Sequence, residues 1–165
     1  MRLPAYLILA YLAIGLQLGL GEPLRVGNCR PDLVLLAVIF IAIHAPRDAA
    51  LLGCFGIGAI QDLVTLNSLG VCALAYSLVG MFTVSTQELI YRAHPVTHFS
   101  LGFVGSLLAA VVVLVHGWIR GPSASVTQLL GNALYTACAA PVVLGLLNLA
   151  RKPFSFQSRR RGRAY

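Results

Sequence analysis

FSLGFVGSLLAAVVVLVHGW, residues 99–118, decides the fold class. No Asp, Glu, Lys or Arg interrupts these residues, and Leu107 to Val115 is continuously apolar. A helix of about 20 such residues spans the roughly 30 Å of hydrocarbon in a bilayer. Five further segments, less uniform than this one, read the same way. They cover residues 3–21, 33–44, 49–66, 69–86 and 126–150. The segment after Arg2 could pass for a signal peptide, but it is longer than the usual apolar region. No A-x-A cleavage pattern precedes Glu22, so it reads as a retained first span. The second span is short, with Pro31 and Asp32 suited to its first turn. Pro141 lies inside the sixth, where neighbouring helices can satisfy a freed carbonyl.

The sequence therefore predicts an all-α, polytopic membrane protein, a six-transmembrane-helix bundle over residues 1–150. Residues 151–165 form a basic cytoplasmic tail. Composition agrees: 58% of the 165 residues are hydrophobic and 10% are charged, against about 25% charged in soluble domains. The net charge of +7 could suggest a nucleic-acid partner, but the bases are singly scattered or gathered in the tail. That is a membrane-topology pattern, and no nucleic acid is expected.

With six spans, Arg2, Arg47, Arg92 and the six tail bases share one side, and Arg25, Arg30 and Arg120 the other. Nine bases against three place both termini in the cytoplasm by the positive-inside rule. The tail bases Arg151, Lys152, Arg159, Arg160, Arg161 and Arg163 would meet anionic lipid, each contributing about 1 kcal/mol near such a surface. They could also dock a partner.

Asp62 is the acid deepest within an apolar segment, and an ionisable group there is by default a functional candidate. Three roles are open to it: reaching the outer interface or capping a neighbouring helix, packing inside the bundle, or serving a ligand or proton. Gly53, Gly56 and Gly58 flatten the same span, and Gly15 and Gly19 make a GxxxG in the first. Small residues let membrane helices approach closely, inside the bundle or against a partner. Asn132, Tyr135 and Thr136 suit interhelical hydrogen bonds.

Cys29, Cys54, Cys72 and Cys138 form no C-x-x-C pair, which points away from a metal site or disulfide framework. His44, His94, His98 and His116 fall near span ends, where no proton relay is needed. No G-x-S-x-G or Gly-Lys-Ser/Thr element occurs, and only one Asp lies deep. No catalytic residue, cofactor or metal is expected, and the chain reads as a non-enzyme.

Three local features resemble the bacterial rod-shape-determining protein family MreD. A Pro-Asp pair opens an apolar helix in Arg30-Pro31-Asp32-Leu33-Val34-Leu35-Leu36. A glycine-rich helix then ends in an acid, from Gly53 to Asp62-Leu63. A Leu-Gly stretch follows, Leu69-Gly70-Val71-Cys72-Ala73-Leu74-Ala75-Tyr76. The resemblance implies a subunit of the cell-elongation machinery in the bacterial cytoplasmic (inner) membrane. It would bind an MreC-like single-span protein and, through it, reach MreB filaments and peptidoglycan synthases. It also implies a fold resembling the substrate-binding subunits of energy-coupling-factor transporters. The rival reading is therefore a small-molecule-binding subunit of that type, with Asp62, Asn67 and Asn132 as candidate cavity residues.

Overall fold

The computed structural model describes residues 3–21, 23, 25, 29–65, 70–86, 95–120 and 126–150. Six helices run through them: α1 (Leu3–Leu20), α2 (Leu33–His44), α3 (Arg47–Thr65), α4 (Val71–Thr86), α5 (Pro95–Arg120) and α6 (Val126–Ala150). The six expected spans correspond to these helices one for one. Their ends differ where local chemistry overrides hydropathy. α5 starts at Pro95 rather than at residue 99, because proline lacks an N–H that the first turn would leave unused. α3 takes in Arg47 and Asp48 from the expected turn, and Asp48 is favourable at the positive helix end. α4 begins only at Val71, because Gly70 has φ +100°, a backbone conformation that glycine adopts without strain.

The outside of the bundle is apolar. Tyr11, Leu52, Phe55, Met81, Val115, Trp118 and Leu146 are all exposed, on a scale a soluble monomer would not show. Residues 47–65, 98–119 and 126–147 are each long and apolar enough to cross a membrane. The chain is a multi-pass membrane protein.

α2 is the centre of this bundle. It is apolar on every side, its residues Leu33 to Ala42 are buried, and it touches each of the other five helices. Such a helix belongs in the middle of a protein. Lipid tails are as apolar as these side chains, so association rests on close packing and interhelical hydrogen bonds. Small residues provide the closeness. A Cβ at Gly58 would lie 2.5 Å from Ala73 Cα, and one at Gly105 would lie 3.1 Å from the Ile39 side chain. α3 thus packs backbone to backbone on α4, and α5 seats on α2. The other extensive contact is between α5 and α6, where a Cβ at Gly102 would meet Ala140 at 2.6 Å.

α1 is placed differently. It contacts α2 and, slightly, α3, with Ala10 and Ile14 reaching the core. Its other side faces outward.

Candidate functional site

Twelve residues at about 1.5 Å each make α2 about 18 Å long, well short of the roughly 30 Å hydrocarbon thickness. The extended strap before it, residues 29–32, covers part of the remainder. Non-helical backbone at membrane depth is tolerated only where protein satisfies its polar groups. Here side chains from α1 and α6 do so, and one from α4 holds the Asp32 carboxylate. Gln17 of α1 accepts from the Leu33 N–H at 2.7 Å and donates to the Pro31 carbonyl at 3.2 Å. Asn132 Oδ1 of α6 accepts from the Arg30 N–H at 2.9 Å, and Thr136 Oγ1 accepts from the Asp32 N–H at 3.0 Å. The Thr136 hydroxyl donates to the Asn132 carbonyl within its own helix. Tyr76 of α4 donates its hydroxyl to the Asp32 carboxylate, 3.0 and 3.2 Å from the two oxygens. Cys29 lies on Gly131 of α6, where a Cβ would collide with its sulfur.

Asp32 is the hub of this arrangement. It caps α2, its Oδ1 accepting from the Leu35 N–H at 2.9 Å, as N-cap residues do. The Leu35 N–H and the Tyr76 hydroxyl both donate to this carboxylate and favour its charged form.

Asp62 performs a second capping task, in trans. It lies within the last turn of α3, 1% exposed. Its Oδ2 accepts from the Gly70 N–H at 2.9 Å and the Ala73 N–H at 3.1 Å, and its Oδ1 from the Cys72 N–H at 3.0 Å. These groups lie at the start of α4, where N–H groups have no intrahelical acceptor and a negative charge is favourable. Of the three roles open to it from sequence, the structure gives Asp62 the capping of a neighbouring helix, in a buried setting.

A cavity of about 250 Å³ lies beside the strap, with Gln17, Arg30, Asp32, Gln61, Tyr76 and Asn132 among its lining residues. Gln61 is 8% exposed, and its Oε1 accepts from no group among the described residues. α5 contributes Ser106 to the wall, whose hydroxyl lies 3.2 Å from the Ala133 carbonyl of α6.

The other expected candidates separate. Gly58 and buried Gly53 serve the interior, with Gly56 half-buried beside them. Gly15 and Gly19 are exposed, and a Cβ at either would meet no described residue within 4 Å. Asn132 reaches the cavity, Asp62 does not line it, and Asn67 lies outside the described residues. Arg151, Lys152, Arg159, Arg160, Arg161 and Arg163 also lie outside them. Sequence reasoning missed Gln17, Gln61 and Tyr76 and took Asp32 only as a helix start. A polar residue within an apolar span, such as Gln17, was the signal present.

Among known protein families, residues 2–149 match the model described as rod shape-determining protein MreD, nearly the whole chain. No curated protein and no solved structure matches it.

Proposed function

The chain belongs to the MreD family and so has a role in rod shape determination, and from that premise we propose that it is a non-enzymatic assembly subunit holding an MreC-like single-span partner. Through that partner it would help couple MreB filaments to peptidoglycan synthesis. The observation carrying this reading is the open face of α1 at Gly15 and Gly19. Gly58, Gly80, Gly102, Gly105 and Gly131 of the other helices are packed against neighbours, whereas Gly15 and Gly19, like Gly145 of α6, have no described residue within reach of a Cβ, and only α1 carries two such glycines one turn apart. A partner helix could approach there to van der Waals distance, which is how membrane helices associate. The proposed orientation has both termini in the cytoplasm, with the tail bases at the anionic lipid surface.

Gly15→Leu and Gly19→Leu test the reading in co-purification with an MreC-like partner from detergent. At least one should weaken recovery while the protein still inserts. Normal recovery with both would remove α1 as the docking face. The second reading, a transporter-type small-molecule subunit, draws on the cavity. At about 250 Å³ that cavity falls below the roughly 300–1,000 Å³ of pockets for drug-sized ligands, which weighs against a vitamin-sized guest. Failure to bind MreC together with retention of a vitamin-like ligand would favour it nonetheless.

A further inference from the structure

The cavity beside the strap has a chemical bias that the partner reading does not use. The polar lining around Asp32, Gln61 and Tyr76 is rich in acceptors, with Arg30 the cation that shares the cavity with them. Gln61 Oε1 has no donor among the described residues, although the Gln61 backbone carbonyl is bonded to the Thr65 hydroxyl at 2.7 Å. Asp32 presents a carboxylate that receives the Leu35 N–H and the single Tyr76 proton, with the Val34 N–H also favouring it. A carboxylate has about four lone-pair sites, so it retains capacity. Tyr76, having donated its proton, can only accept. A half-buried carboxylate favours positive charge, and a buried amide oxygen with no donor among the described residues calls for one. Ala110 and Val113 of α5 add an apolar lining.

We propose that this cavity binds a small primary ammonium group on a short apolar stem, donating to Asp32 and Gln61. An ammonium carries three N–H donors and no acceptor, which complements this wall. The volume limits the occupant to about the size of a head group. The same chemistry is carried by the ethanolamine head group of a lipid and by a soluble amine. This site is separate from the α1 face, and its test does not depend on any partner protein.

The full chain is purified in detergent and offered three probes: phosphatidylethanolamine, phosphatidylcholine and soluble ethanolamine. Phosphatidylcholine keeps the phosphate and positive charge but has no N–H to donate. Native mass spectrometry reads lipid retention, and the thermal unfolding midpoint reads ethanolamine. Phosphatidylethanolamine should be retained, or ethanolamine should raise the midpoint, with phosphatidylcholine at least about tenfold weaker. Binding of the lipid alone identifies a head group, and binding of ethanolamine alone identifies a soluble amine. Gln61→Leu should lower the affinity of whichever probe binds by about tenfold or more. This substitution removes an oxygen that accepts no bond among the described residues, so the fold should persist. Should it fail to fold, Asp32→Asn, which keeps a cap acceptor, should show the same loss. Binding of neither amine probe, equal binding of phosphatidylcholine, or full binding by the folded variant tested overturns the proposal and leaves a cavity filled by water alone.

Discussion

Replacing Asp62 with leucine strips the acceptor from the N–H groups of Gly70, Cys72 and Ala73 at one stroke. Gly70 is exposed and can turn to water, while Cys72 and Ala73 lie half-buried and buried. Two enclosed N–H groups at roughly 1–3 kcal/mol each give a loss of about 2–6 kcal/mol. That exceeds the roughly 0.5–2 kcal/mol of an ordinary cap, because this cap also ties α3 to α4. Asp62→Asn keeps one acceptor oxygen in place and should cost about 1–2 kcal/mol. At roughly 2–4 °C per kcal/mol for a chain of this size, leucine should lower the unfolding midpoint in detergent by on the order of 10 °C. Asparagine should lower it by less than half as much, and alanine should resemble leucine. Hydrogen exchange should rise chiefly over residues 70–76 in each case. Equal effects of asparagine and leucine would show that the charge, rather than the acceptor geometry, is what matters, and the capping account would fail.

The close α3–α4 approach gives a second test: Gly58→Val should destabilise by about 1–3 kcal/mol, since its Cβ meets Ala73 backbone, while Gly19→Ala should stay within about 0.5 kcal/mol. Equal midpoints for the two would contradict the packing. Tyr76→Phe removes the donor to Asp32 and should cost about 1 kcal/mol or more, read from the same thermal unfolding. For topology, a reporter active only outside the cytoplasm should be silent after Tyr165 and active between Ser68 and Leu69; activity at the first position reverses the proposed orientation.

The six helices were legible because a long apolar run has few other uses, and 99–118 leaves almost none. The start of α5 was not, since Pro95, Thr97 and His98 counted against a span although they suit a first turn. Asp62 stood out as an acid behind glycines, but its partners are backbone N–H groups. Every non-proline residue carries one, so no sequence pattern marks them. The Asp32 hub was hidden for another reason. Thr136 lies 104 residues from it and Tyr76 lies 44, and only the packed bundle brings them to one strap. Gln61 was overshadowed by its neighbour: the acid drew notice, yet the amide faces the cavity.

The open glycine face and the cavity can be probed separately, and helix geometry explains why. Successive residues turn by about 100°, so Gly15 and Gly19 lie one above the other, while Gln17 points to the opposite side. Gln17 is the α1 residue that holds the strap, through Pro31 and Leu33. A leucine at 15 or 19 therefore grows into open space and leaves those bonds intact. Loss of partner recovery in such a variant, with its unfolding midpoint unchanged, reports on the partner face itself. Gln17→Leu is the converse. It leaves the glycine face alone but frees the Leu33 N–H and the Pro31 carbonyl within the bundle. It should lower the midpoint, with two hydrogen bonds at about 1 kcal/mol each at stake. A Gln17→Leu protein of unchanged stability would mean that the strap is held without α1, and α1 would then be attached to the bundle by its apolar contacts alone.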